Sequence, residues 1–236
     1  MTVELSAVRT FSFELFPPKT EDGKAKLRTT WHELARLKPR FFSVTFGAGG
    51  STQQGTLDTV LDIRAAGEQA APHISCVAAS KADILETLSN YREHGIRHIV
   101  ALRGDMPSGL ASGGELRYAN ELVDFIRQTT GDWFHIDVAC YPEYHPQTRN
   151  PSDELKNFKL KVDAGADSAI TQYFYNPDAY FQLGLVLIQQ ATEEGGKMKA
   201  PAGTAEAFQK YLELASAKER SDPATQALAR LCGITG

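Results

Sequence analysis

The sequence predicts a parallel α/β fold built from repeated strand–loop–helix units, and three observations carry that prediction. Six short apolar runs recur along the 236 residues, each run ends in a polar or glycine-bearing loop, and a stretch with helical spacing follows each of the first five loops. The runs start roughly 25 to 36 residues apart, close to the length of one strand–helix unit in an eight-fold barrel. The pattern alone leaves a closed barrel and an open doubly wound sheet both standing.

The first strand is predicted over 11–16. Alternation there places Ser12, Glu14 and Phe16 on one face and Phe13 and Leu15 on the other. A carboxylate among phenylalanines is costly to ionise, so Glu14 is either a general acid with a raised pKa or an interior carboxylate paired with a cation. A helix over 24–37 follows, with Leu27, Trp31 and Leu34 at helical spacing. The second strand, 41–46, runs into Gly47-Ala48-Gly49-Gly50-Ser51. This loop is a phosphate cradle or a flexible turn, and it matches neither the dinucleotide fingerprint nor a P-loop. A helix is predicted over 56–66, then a third strand over 73–79 opened by His73 after Pro72. A lone histidine in such a place is ordinarily a hydrogen-bonded structural residue.

The next helix, 81–94, ends at Gly95 as a C-cap. The fourth strand, 98–102, runs into Arg103-Gly104-Asp105. Carboxyl ends of parallel strands form the working surface of α/β folds, and Gly104 lets a ligand approach the backbone between a cation and a carboxylate. A helix over 118–129 leads to a fifth strand, 134–140, and to a loop, Tyr141-Pro142-Glu143-Tyr144-His145-Pro146, stiffened by two prolines. The helix over 153–164 carries Glu154, Asn157 and Lys161 as a polar stripe, a solvated face or a ligand-binding one, opposite Leu155, Phe158 and Val162. The sixth strand, 168–174, places Gln172 among apolar neighbours, where a buried amide needs partners for both its donor and its acceptor.

Composition excludes several classes. The net charge is −4 and the sequence pI about 5.9, with no basic run, which argues against nucleic acid or an anionic membrane as partner. No stretch approaches twenty apolar residues, and the Met-Thr-Val-Glu-Leu-Ser start is unlike a secretory leader, so a cytoplasmic protein is expected. Cys76, Cys140 and Cys232 are odd in number and lack Cys-x-x-Cys spacing, so neither a disulfide framework nor a zinc knuckle is predicted. There is no His-x-His on a strand, no His-Glu-x-x-His and no Gly-x-Ser-x-Gly, so no metal site or serine nucleophile is expected.

Seven ordered blocks add a resemblance. They are Phe-Glu-Leu-Phe-Pro-Pro-Lys-Thr (13–20), Ser-Val-Thr-Phe-Gly-Ala-Gly-Gly-Ser (43–51), Ala-Pro-His-Ile-Ser-Cys (71–76), Ile-Arg-His-Ile-Val-Ala-Leu-Arg-Gly-Asp (96–105), Tyr-Pro-Glu-Tyr-His-Pro (141–146), Lys-Val-Asp-Ala-Gly-Ala (161–166) and Ala-Ile-Thr-Gln-Tyr-Phe (169–174). Over about residues 8–181 the chain resembles the bacterial methylenetetrahydrofolate reductases. The resemblance implies a (β/α)8 TIM-type barrel that binds FAD at the carboxyl ends of its strands. It also implies hydride transfer from NADH or NADPH through the flavin to 5,10-methylenetetrahydrofolate, within one-carbon metabolism and methionine biosynthesis. Glu14 would be the general acid, and Asp105 would sit near flavin and folate and favour a developing cation. Gln172 would bind the pterin, and Thr45 the nicotinamide nucleotide or flavin. Phe46, Ala48, His73, Arg103, Gly104, Ala119, Tyr141, His145, Glu154, Asn157 and Lys161 fall at FAD-contacting places. Glu154 stands where the family commonly has Asp, Phe46 where Tyr is common, and Leu160 where an Arg is usual beside the helix lysine. A homo-oligomer is part of what the resemblance implies.

The resemblance ends after Phe181. Residues 1–181 read as the FAD-binding barrel portion and 182–236 as a divergent tail, largely helical or partly disordered, with no counterpart of the family's seventh and eighth strands. An apolar run over 183–188 is a candidate substitute strand, and helices are predicted over 205–217 and 223–231. Three readings follow: an FAD-dependent reductase, a non-catalytic flavin-binding or inactive remnant, and an unrelated barrel lyase or aldolase. The last lacks a Schiff-base lysine or metal ligands at its strand ends.

Overall fold

The computed structural model describes residues 10–46, 53–105, 114–143 and 151–173, and the tail positions 178, 181, 184, 185, 192–194, 197–199, 209, 211, 212 and 226. The predicted alternation is present as β1 (Phe13–Leu15), α1 (Glu21–Ala35), β2 (Phe42–Val44), α2 (Gln53–Ala65), β3 (Ala70–Ser75), α3 (Lys81–Glu93), β4 (His98–Leu102), α4 (Ala119–Thr130), β5 (His135–Cys140), α5 (Pro151–Asp163) and β6 (Ser168–Thr171). Hydrogen-bonded strand order follows chain order from β1 to β6, and the pairs β1–β2, β2–β3 and β3–β4 are parallel. Six βα-type strands in this order are the layout of an incomplete TIM-type barrel. The chain forms two compact units, Ala7–Asp137 and the part from Val138 onward, so the division falls inside β5.

In the first unit, register decides what each side of the sheet faces. Phe13 pairs with Phe42, Leu15 with Val44, Val44 with Pro72, and Ile74 with Ala101. Paired residues share a face, so one side is apolar through all four strands. The helices close that side: Trp31, Val60, Ile63, Ile84, Leu88, Tyr91, Leu122, Val123 and Ile126 are all buried. The Trp31 ring meets Phe42 at 6.4 Å, and Phe13 stacks on Phe42 at 5.9 Å. The other side carries Glu14, Ser43, Thr45, Ala71, His73, Ser75, His98 and Val100. It is polar, and Ser43, Thr45, His73 and Ser75 are nonetheless buried.

Several boundaries differ from the sequence reading, each for a local reason. Helix α1 starts at Glu21, not 24, because Thr20 caps it by accepting from the Gly23 N–H at 3.1 Å and Glu21 and Asp22 fill the positive first turn. Strand β3 starts at Ala70, not 73, since Pro72 forfeits one ladder donor while the residues on either side of it still pair. It ends at Ser75, and Ala78 then takes a positive φ of 55°. Helix α3 opens with a Ser80–Asp83 capping box and closes through Gly95, whose φ of 65° fits the predicted C-cap. Strand β1 spans three residues only, and β6 stops at Thr171, short of Gln172.

In the second unit, the Gln172 N–H donates to the Cys140 carbonyl at 2.7 Å, joining the end of β5 to the end of β6. Helix α5 starts on Pro151, whose missing N–H costs nothing at that position, and buries Phe158. The tail forms an antiparallel hairpin of β7 (Thr192–Glu194) and β8 (Lys197–Lys199), with Glu194 opposite Lys197. Buried Tyr211 packs its ring 4.9 Å from Phe181. Positions 184 and 185 are helical, which removes the 183–188 substitute strand, whereas 209, 211 and 212 are helical as predicted for 205–217.

Trp31, 1% exposed, anchors α1 on β2, and Leu37, 59% exposed, anchors nothing. Trp31→Ala should lower unfolding free energy by about 3–5 kcal/mol in a urea titration. Leu37→Ala should change it by less than about 0.5 kcal/mol.

Candidate functional site

On the polar face of the first unit, Glu14 and His73 approach each other. His73 Nε2 lies 3.5 Å from Glu14 Oε2 and makes no hydrogen bond among the described residues, although the ring is buried. Burial holds the imidazole pKa down at about 4, with the Asp137 charge opposing the shift. Partial burial also raises the Glu14 carboxyl above its ordinary value. Half of the Glu14 side chain is exposed, yet the shift survives because its neighbour supplies no counter-charge: above about pH 4, His73 is neutral. Of the two sequence readings of Glu14, the raised pKa fits the acid, and the interior carboxylate's expected cation is a neutral imidazole. His73, expected to be hydrogen-bonded, has its ring Nε2 orphaned.

Thr45 sits on the same face, one residue past β2. Its N–H donates to the Leu15 carbonyl at 3.0 Å and its carbonyl accepts from the Thr56 hydroxyl at 2.8 Å, so the backbone is fixed. Its own Oγ1 is buried with no partner among the described residues. Two orphaned buried polar atoms on one face are unusual in a folded protein and mark where a ligand would complete the bonding. Phe46 continues the opposite parity. It lines a cavity of about 350 Å³ with Leu57, Val77, Asp83, Glu86 and Asn90, on the α2 and α3 side.

After β4 the backbone turns sharply. Gly104 has a φ of 84°, and a Cβ there would collide with Ser75 Oγ and lie 2.7 Å from Val77 Cγ1. Only glycine fits. The Arg103 carbonyl accepts from Ser75 Oγ at 2.8 Å and from the Val77 N–H at 2.9 Å, and the half-buried Arg103 Nε donates to the Gly104 carbonyl at 3.3 Å. Asp105 follows and is exposed. Ala119 is the buried first residue of α4.

In the second unit, the polar stripe of α5 is not simply solvated. Glu154 is buried, Asn157 exposed, and half-buried Lys161 donates from Nζ to the Ala139 carbonyl at 2.7 Å. Burial pushes the Cys140 thiol up to about 12, with Lys161 opposing and Glu154 adding to the shift. Cys76 is likewise raised to about 11, so both thiols are inert core residues, as expected. Tyr141 is half-buried. Gln172 departs from expectation: it is exposed, as are Ile170 and Thr171 within β6 itself, and its Oε1 accepts from the Tyr173 N–H at 3.1 Å. Ala48 and His145 lie outside the described residues.

The sequence reading missed a cluster on the polar face. His98, which opens β4, and His135 and Asp137 of β5 bring their ligand atoms within 4.8 Å of one another. Its local trace is His-x-Asp alternation on β5 and a histidine at the same end of β4, and only the adjacency of the two strands joins them into one cluster.

A sequence model of the methylenetetrahydrofolate reductase family matches residues 2–197. The chain belongs to that family. Its relatives include 5,10-methylenetetrahydrofolate reductases from Pectobacterium carotovorum subsp. carotovorum, 42% identical over 180 residues, and Escherichia coli K12, 41% identical over 172. These alignments cover 76% and 72% of this chain but 59% and 57% of the relatives. The chain thus spans somewhat less than three fifths of the length of those relatives. Methylenetetrahydrofolate reductase (NADH) 1 of Arabidopsis thaliana is 38% identical over 73% of this chain and 31% of its own.

Solved structures share the fold at low identity. An uncharacterized protein from Clostridium thermocellum that binds two copies of 5-methyl-5,6,7,8-tetrahydrofolic acid gives a TM-score of 0.52 at 11% identity, covering 94% of this chain and 80% of that one. A 2,3-dimethylmalate lyase gives 0.52 at 12%, covering 75% and 62%. At such identities the likeness concerns the fold alone. Within the family assignment, the blocks that carried the resemblance are those that place Glu14, Thr45, His73 and Gly104.

The depressed His73 pKa has a thermodynamic consequence. Between an unfolded pKa near 6.5 and the folded value of about 4 the unfolded chain binds the extra proton, so stability falls as pH falls through that window. The loss attributable to His73 should reach about 3 kcal/mol. Denaturation midpoints at pH 7.5 and pH 4.5 should therefore differ less in His73→Gln than in the unsubstituted protein, and an equal difference would contradict the assignment.

Proposed function

We propose that the chain reduces 5,10-methylenetetrahydrofolate to 5-methyltetrahydrofolate with NADH or NADPH through bound FAD, in one-carbon metabolism and methionine biosynthesis. The observation that carries this reading is the partly desolvated Glu14 carboxyl beside a His73 Nε2 that has no hydrogen-bond partner among the described residues, in a chain of the methylenetetrahydrofolate reductase family. Cytoplasmic residence and a homo-oligomer belong to the same reading. Among the described residues no helix is long and apolar enough to cross a membrane.

The residues present fit a flavin. Thr45 Oγ1 and His73 Nε2 are buried atoms with no hydrogen-bond partner among the described residues. With Thr45 and His73, the family resemblance assigns Phe46, Ala48, Arg103, Gly104, Asp105, Ala119, Tyr141, His145, Glu154, Asn157 and Lys161 to the cofactor. Bound FAD supplies the hydride-carrying chemistry between nicotinamide and folate.

The chain's own work is proton supply and positioning. Glu14 retains its proton nearer neutrality than an ordinary carboxyl and gives it to a nitrogen of the imidazolidine ring, opening the ring to an electrophilic iminium. Asp105 places negative charge where that cation develops. Gln172, exposed at the end of β6, offers both donor and acceptor to the pterin edge. Thr45 fixes the nicotinamide or flavin edge.

A second reading, a flavin-binding remnant without turnover, is favoured by the family match ending at residue 197. The purified protein should be yellow or take up FAD, and NADH added without oxygen should bleach it. Re-oxidation by methylenetetrahydrofolate supports the reductase, and bleaching without re-oxidation supports the remnant. A protein that cannot be reconstituted with FAD overturns both. Glu14→Gln should leave bleaching intact and slow folate reduction about 10²-fold or more; equal loss of both half-reactions would refute the acid role.

A further inference from the structure

We propose that His98, His135 and Asp137 form a binding site for a divalent transition-metal ion of the zinc class. His98 and His135 open neighbouring strands, where the His135 N–H donates to the Arg97 carbonyl at 2.7 Å. Alternation along β5 places Asp137 on the same face as His135. On β4, His98 shares the face of Val100, the register partner of His73. The site therefore lies on the polar face, at the amino-terminal ends of the strands, away from the carboxyl ends that carry Arg103 to Asp105.

The geometry is that of a three-ligand site. Asp137 offers one carboxylate oxygen to each imidazole: Oδ2 lies 2.8 Å from His98 Nε2 and Oδ1 lies 3.2 Å from His135 Nε2. Zinc holds nitrogen and carboxylate oxygen at about 2.0–2.2 Å, so tetrahedral ligand atoms stand about 3.3–3.5 Å apart. Against that spacing the His98–Asp137 pair, at 2.8 Å, opens by about 0.5–0.7 Å and the His135–Asp137 pair, at 3.2 Å, by about 0.1–0.3 Å. His98 is held by the Phe41 ring, 4.5 Å away and edge-on, and the two imidazoles cross at 84° with centroids 4.9 Å apart. The Asp137 side chain is 5% exposed, whereas that of His135 is 44% exposed. A buried carboxylate gains from a cation brought to it, and the open side at His135 gives the ion an entry path and leaves a fourth position for water.

Two imidazoles and one carboxylate suit zinc, cobalt or nickel; calcium and magnesium favour all-oxygen shells. An ion here ties the start of β4 to the start of β5.

The test uses the full-length chain, stripped with chelator and titrated with Zn²⁺ against a chromophoric competitor, and separately with Co²⁺. One Zn²⁺ per chain is expected at pH 7.5, with a tetrahedral Co²⁺ spectrum and a Zn²⁺-dependent rise in Tm. His135→Ala and Asp137→Asn should each weaken Zn²⁺ binding by at least about tenfold and abolish the Tm rise. His94→Ala, on the surface after α3, should change neither. If Asp137→Asn fails to fold, the half-exposed His135 decides alone. Zn²⁺ affinity equal in the unsubstituted protein and His135→Ala, or no Zn²⁺ uptake, would overturn the proposal.

Discussion

An uncharged imidazole buried against a carboxyl group is the interaction on which the first unit's chemistry depends. Were His73 charged, it would pair with Glu14 and draw the carboxyl pKa down. Because burial keeps the ring neutral to about pH 4, Glu14 meets no counter-charge there, and its own partial burial raises its pKa above the ordinary carboxyl value. The sheet makes this possible. Its apolar side is closed by Trp31 and its counterparts on α2, α3 and α4, which leaves the opposite side to hold polar groups at strand-fixed positions.

The same sidedness explains why buried polar atoms are tolerated there. Helix packing and ladder bonds fix the backbone of Thr45 and His73, so their side chains stay buried even with Oγ1 and Nε2 unsatisfied. Gly104 belongs to this arrangement, since its positive φ brings the turn after β4 down onto Ser75 of the same face. In the second unit the corresponding work falls to α5, where Glu154 and Lys161 reach inward around the end of β5.

Much of this was legible in the sequence. Apolar runs with helical stretches between them revealed six strands and five helices, because burial writes itself as periodicity. The His98–Leu102 strand matched to the residue. Less legible were features set by single hydrogen bonds or by partners distant in sequence. The Thr20 cap moved α1, and pairing on both sides carried β3 through Pro72. Gln172 reads as buried because its neighbours are apolar, but Ile170 and Thr171 of β6 are exposed along with it. The His98–His135–Asp137 cluster depends on β4–β5 adjacency, which no local pattern states. The tail hairpin, with its Glu194–Lys197 pair, lies in a stretch whose Gly and Lys content obscures any strand signal.

The central claim concerns the protonation state of one ring, and nitrogen NMR of the protein carrying ¹⁵N-labelled histidine reads it directly. The His73 resonances, assigned through His73→Gln, should remain those of a neutral imidazole as pH is lowered from 7.5 to about 5, in the unsubstituted protein and in Glu14→Gln alike. Titration of His73 near the ordinary value of about 6.5 would mean a charged partner for Glu14 and would contradict the account.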